Sequence, residues 1–333
     1  MRRAVRFLVG VALGGGTLGV YLVTVGIDRI IQRFLGLPTW TILLVVGLVV
    51  AEGLADSIGV WASVNPLGDG LSGIESVQFA MAGDFFDILS PAGPVSSEPI
   101  MAQFIGVGTD TSYSEALGVR SAAKYIKATA QLLISISVGA VLLVMGSTPG
   151  SLLISLALGM LGLILGGVVL LHFRGPISTA AVTVLTPIVR RISALYRDEP
   201  HDRPVVERAI GRFWTRLTQF RTEPGLIALI AIGGVLEQIL TATALWVALL
   251  GGGDPVFFLP LVVIIPLPQI ASVVPIPASL GAYDVFLGGA IGFVTSVSPA
   301  AAAVAVLLVR SIMIPFGLTA GGLAVAFLRG WRP

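Results

Sequence analysis

The chain has no cysteine in 333 residues, which excludes disulfides, thiolate metal sites and a cysteine nucleophile. It holds only two histidines, His172 and His201, both at or beyond the edge of an apolar run, so a histidine metal cluster has nothing to build on. Charged residues are scarce, 11% against 55% hydrophobic, and mean hydropathy is +0.96. A soluble domain does not look like this; an all-α polytopic membrane protein does. Catalytic signatures are missing too. There is no His-Glu-x-x-His, no Gly-x-Ser-x-Gly and no glycine-rich loop closed by Lys-Ser/Thr. An intramembrane aspartyl protease could recruit Asp56 and Asp284, but neither lies in the motif such enzymes use. No cofactor, catalytic residue, metal or nucleic-acid partner is therefore expected.

Glycine and proline, in contrast, are plentiful at 41 and 20 residues, as close helix packing and broken membrane helices require. The prolines are most telling in Ala271–Asp284, where Pro275, Pro277 and Gly281 interrupt an apolar region just before Asp284. A helix cannot run undisturbed through this stretch. Broken backbone in a bilayer persists only where protein or a water-filled cavity satisfies it. Ser90–Glu98 repeats the pattern: Pro91-Ala92 is followed seven residues on by Glu98, as Pro277-Ala278 is by Asp284. One such stretch would be ordinary membrane-helix composition; two, each ending in an acid, point to a paired site.

The apolar runs predict about eight transmembrane helices, near 7–25, 39–64, 128–145, 152–172, 225–250, 256–270, 283–297 and 300–328, within a single membrane domain spanning 1–333. Between the second and third, residues 65–127 offer only short apolar pieces, read as interfacial or re-entrant helices. The two proline stretches are the expected re-entrant or broken segments. Residues 1–172 form a first half and 225–333 a second, joined by the polar segment 173–224. With four crossings per half, the weak internal repeat is expected to be parallel; an inverted repeat would require a missed crossing.

Segment 174–223 carries nine arginines against five acids and is expected to be cytoplasmic. With Arg2, Arg3, Arg6, Arg120 and Arg329 on the same side, both termini are expected in the cytoplasm and the protein in the plasma membrane. Only Arg29 and Arg33 fall outside this pattern. In the second half of the loop, Val206, Ile210, Phe213, Leu217 and Phe220 form an apolar stripe beside Arg208, Arg212 and Arg216. Such a helix suits an anionic membrane surface or the protein's own core, and both readings stay open.

Five acids lie at apparent membrane depth, namely Glu52, Asp56, Glu98, Glu237 and Asp284, together with one base, Arg310. Each costs on the order of 2.5–3.5 kcal/mol to insert. Glu98, Asp284 and Arg310, with Pro91, Pro275, Pro277 and Gly281 shaping the breaks, are the expected substrate-binding set. Arg310 has the fork geometry suited to phosphate. Glu237, Glu52 and Asp56 are secondary. Glu52 and Asp56 share one helix face, and snorkelling or interfacial placement is the favoured reading for both.

These residues resemble the flippase-like membrane domain of lysylphosphatidylglycerol synthases, the multiple peptide resistance factor group. The family pattern near the first break is a proline, a small linker and Gly-Glu followed by arginine. Here Ser97 stands for that glycine and no arginine follows Glu98 until Arg120. At the second break the family has Pro-x-Pro-Gly-Gly-x-Gly-x-x-Glu. Here Ala278-Ser279 replaces the two glycines, Gly281 is kept and Asp284 replaces the glutamate, while Arg310 matches an arginine usual in the late span. The resemblance implies lipid handling: movement of an anionic or aminoacylated phospholipid, or of a polyprenyl phosphate. With four residues after Arg329, it implies the stand-alone form, transport without synthesis. A homodimer, or a lipid-modifying enzyme as partner, is compatible with it. The alternative function is a non-transporting scaffold subunit of a lipid-modification or glycosylation enzyme.

Overall fold

The computed structural model describes residues 2–90, 94–146, 150–193, 202–268 and 279–328. Pro91, Pro275 and Pro277 lie outside these. The described residues form thirteen α-helices and no strand. In order they are α1 (Arg2–Val25), α2 (Ile27–Leu35), α3 (Thr39–Val64), α4 (Gly73–Leu89), α5 (Pro94–Gly108), α6 (Tyr113–Val144), α7 (Gly150–His172), α8 (Arg174–Ser193), α9 (Arg203–Gln219), α10 (Pro224–Gly251), α11 (Leu259–Ile264), α12 (Ala282–Thr295) and α13 (Pro299–Ala326). Five of them, α3, α6, α7, α10 and α13, are long and apolar enough to cross a membrane. At 24 residues, about 36 Å, α1 has the length of a sixth.

Local sequence sets several of the boundaries. Ser72 with Glu75 and Ser112 with Glu115 form reciprocal capping boxes that start α4 and α6. Proline at the first helical position opens α10 and α13, and the Ser298 hydroxyl accepts the Ala301 N–H. The capping box at Ser112 starts α6 fifteen residues before the expected third span. Arg120, Lys124 and Lys127 therefore belong to the long helix itself.

Close contacts fix the helix directions. In α10, Gly251 lies against Thr41 of α3 and Gly233 against Gly59, so the two helices run antiparallel. A Cβ at Gly233 would stand 3.0 Å from the Gly59 nitrogen, so this crossing depends on glycine. The Gln131 amide of α6 donates to the Gly234 carbonyl (3.0 Å) and Gln238 of α10 donates to Ser135 (2.8 Å), so α6 and α10 run parallel. Gln78 of α4 donates to the Ala324 carbonyl (3.0 Å) while Gly317 meets Asp84 and Ile88, so α4 and α13 run antiparallel.

Two ends result. At the arginine-rich end, Arg216 of α9 bonds Glu115 (3.0 Å) and the Pro66 carbonyl (3.1 Å). At the far end, Arg33 of α2 pairs with Asp254 (2.5 Å), beside the junction of α12 and α13. Helices α4 and α5 enter from the arginine-rich end and return to it, where Thr109 sits against Gly68. The outer ends of α11 and α12 both lie at the far end. The expected sixth and seventh crossings are thus replaced by a second re-entrant pair. The physical reason is length: α11 has six residues, and the 14 of α12 span about 21 Å against a hydrocarbon core of about 30 Å. Among the described residues, six helices run end to end. The number is still even, so α1 starts and α13 finishes at the same end.

The counterpart of α3 is then α10 and not the expected sixth span, three crossings on rather than four, so the repeat is inverted rather than parallel. The unit α3, α4/α5, α6 corresponds to α10, α11/α12, α13, and α3 runs antiparallel to its counterpart α10. One hairpin enters from each end. Apolar residues cluster accordingly: Phe79, Met101, Ile105 and Ile230 in a core toward the arginine-rich end, and Val49, Leu245, Leu261 and Val306 in another toward the far end.

Helix α9 packs its apolar stripe on α6, with Gly118 directly against the Phe213 backbone, and the Trp214 indole donates to Ser178 of α8 (2.7 Å). Arg216 is thereby a structural pin, while Arg208 and Arg212 stay exposed. Packing on the protein's own core, one of the two readings of this helix, is thus present in the structure.

Candidate functional site

Between the two apolar cores lies a cavity of 340 Å³, lined from α3, α4, α5, α6, α10, α13 and the segment 279–283. Helical spacing delivers its charges. Glu52 and Asp56 sit one turn apart on α3, Asp84 and Asp87 on α4, and Arg120, Lys124 and Lys127 along one face of α6. Glu98, Glu237 and Arg310 complete the lining.

The first hairpin brings Glu98 to α6. Its carboxylate accepts both the Arg120 Nε (2.9 Å) and Nη2 (2.8 Å), a bidentate fork, and the Lys124 ammonium lies 3.1 Å away. Arg120, 22 residues downstream, thus supplies the guanidinium that no residue adjacent to Glu98 provides. Ser97 donates to Asp87, tying the start of α5 to α4.

The second hairpin repeats this arrangement. Asp284 Oδ1 accepts the Arg310 Nε (3.0 Å), and its Oδ2 accepts the Gly281 N–H (2.9 Å) at the start of α12. Gly281 has φ 76°, a left-handed conformation that glycine adopts without strain. Ser279 takes φ 50° and is nearly buried against the cavity. The Arg310 guanidinium also stands 4.9 Å over the Tyr283 ring. An aspartate suits this position because its short side chain reaches both the free N–H of its own helix and the neighbouring arginine.

In the centre, the Lys127 ammonium bridges Asp56 (2.8 Å) and Glu237. Glu52 and Asp84 make no hydrogen bond or ion pair among the described residues. Thus Arg310 is joined by three further cations lining the same cavity, Arg120, Lys124 and Lys127, all on α6. Asp56 has a lysine partner, and Glu52 lines the cavity rather than snorkelling.

Glu98 and Arg310 line one cavity, and Asp284 stands behind Arg310 rather than on the wall. Of the residues sequence reasoning missed, Arg120, Lys124 and Lys127 had a signal in their i, i+4, i+7 spacing, and Asp84 and Asp87 in their i, i+3 spacing within an apolar piece. Ser279 and Tyr283 had none. The lining carries six carboxylates and four cations, with Asp284 just behind as a seventh acid. It can hold a polar head carrying both phosphate and positively charged or hydroxyl groups.

Neither a comparison with curated proteins nor one with solved structures finds a match. The family model described as lysylphosphatidylglycerol synthase TM region matches residues 7–321. The match takes in both hairpins, α3, α6, α10, Glu98, Arg120, Asp284 and Arg310, and the chain belongs to the lysylphosphatidylglycerol synthase transmembrane-region family.

Proposed function

We propose that this protein moves the polar head of a membrane lipid through the central cavity by alternating access, with the tails left in the bilayer. The observation that carries this reading is the charged cavity held between two apolar cores, with one re-entrant hairpin entering from each end. Opening either core in turn would present the same charges to opposite faces. Family membership supports a role connected with membrane lipids. The head group would meet Arg310 and the α6 cations through its phosphate, and the carboxylates through amine or sugar hydroxyls. We place the protein in the plasma membrane with the arginine-rich end and both termini in the cytoplasm.

Two measurements test this. Reporter fusions at Gly252 and at Arg203 should report opposite faces, with Arg203 cytoplasmic; the same face for both would break the topology. Purified protein in vesicles should move fluorescent phosphatidylglycerol, an aminoacylated phospholipid or a polyprenyl phosphate faster than protein-free vesicles. No acceleration with any of the three would leave a scaffold for a lipid-modifying enzyme as the function.

A further inference from the structure

Glu52 and Glu237 occupy the same step of repeat-related helices. Each lies thirteen residues beyond the first residue of its helix, Thr39 in α3 and Pro224 in α10. They reach one cavity from antiparallel helices, yet their surroundings differ. Glu237 shares the Lys127 ammonium with Asp56. Glu52 has no ion-pair partner among the described residues, although it lies within electrostatic reach of Glu237, Asp84, Lys127 and Asp56. The second half has no copy of this lysine. Lys127 follows Arg120 by seven residues, and seven residues beyond the corresponding Arg310 stands Gly317. One central cation therefore stands near two symmetry-related carboxylates and pairs with only one of them, Glu237.

An inverted repeat changes state when each half adopts the conformation of the other, which exchanges the environments of equivalent residues. We propose that Lys127 is a charge switch that binds Glu237 in the present conformation and Glu52 in the alternate one, with Asp56 as its pivot. Glu52 and Asp56 are four residues apart on one face of α3, so the ammonium can pass from Glu237 to Glu52 without leaving Asp56. Each position neutralises one glutamate and leaves the other exposed to the cavity. Because a lone carboxylate at this depth is costly in either state, the two states lie close in free energy. The proposal rests on the alternating-access reading.

The absence of native cysteine makes the test direct. Ala80→Cys on α4 and Val49→Cys on α3 line the cavity from its arginine-rich and far sides. Their labelling by a membrane-impermeant maleimide, applied to each face of vesicles containing the full chain, reports which side is open. Glu52→Gln should hold the present conformation and Glu237→Gln the alternate one. The ratio of the two labelling rates should therefore shift in opposite directions, each on the order of tenfold. Lys127→Met should abolish both shifts. Glu52→Asp and Glu237→Asp, which keep the charge but shorten the reach, should give smaller shifts of the same signs, and they carry the test if a glutamine variant does not fold. Shifts of the same sign, or no shift while the parent cysteines label from both faces, overturn the switch alone. A parent in which only one cysteine ever labels overturns alternating access, and the switch with it.

Discussion

Replacing Arg120 with methionine is expected to destabilise the protein by about 3 kcal/mol, a larger effect than any other single change at the cavity. Side chains of Arg120 and Glu98 are 8% and 14% exposed, and the fork between them is bidentate. Removing the guanidinium leaves a carboxylate at the tip of the first hairpin with only the Lys124 ammonium nearby. The cost arises less from the lost attraction than from the stranded charge. The double variant Arg120→Met with Glu98→Gln should therefore recover most of the stability, since a neutral amide beside methionine strands nothing. Thermal unfolding in detergent reads both. A double variant no more stable than Arg120→Met would show that the guanidinium matters for packing rather than for its pairing with Glu98.

Asp284→Asn should lower transport by about tenfold or more, the effect of losing a charge-assisted hydrogen bond of roughly 1.5–3 kcal/mol. Asp284 is almost fully buried and does two things at once, capping the start of α12 and holding Arg310 at the cavity wall. Asparagine can keep one of these contacts with its carbonyl oxygen, but its amide nitrogen cannot accept the other. Arg310→Lys should impair transport similarly despite conserving charge, because an ammonium cannot both meet the carboxylate and lie flat over Tyr283. Asp56→Asn should cost less, since Lys127 keeps Glu237. Initial rates of head-group movement in vesicles would rank the three. Asp56→Asn proving the most damaging would shift the substrate contact from the hairpin to α3.

Composition and periodicity determined that this chain is a bundle of apolar helices with two interrupted segments, each ending in an acid. Hydropathy and proline act locally: an apolar run of membrane length has one stable state in lipid, and proline removes a backbone donor wherever it stands, although α5 and α13 carry Pro99 and Pro315 within them. Glu98, Asp284 and Arg310 were legible for the same reason, since a charge in an apolar run is conspicuous. Arg120, Lys124 and Lys127 were harder to place, because their stretch of α6 is polar enough to pass for a membrane edge; only the cavity opposite them explains why polar residues continue a crossing helix. The count of crossings and the sense of the repeat were decided by tertiary structure. Residues 256–297 contain enough apolar side chains for two spans, but helix length and direction depend on where α11 and α12 dock. The choice of partners is likewise a long-range matter. Glu98 takes Arg120 and Asp284 takes Arg310 because each hairpin folds back onto the helix that follows it, and Lys127 reaches Asp56 and Glu237 because α6 packs beside α3 and α10. No spacing within one helix encodes a contact made between three.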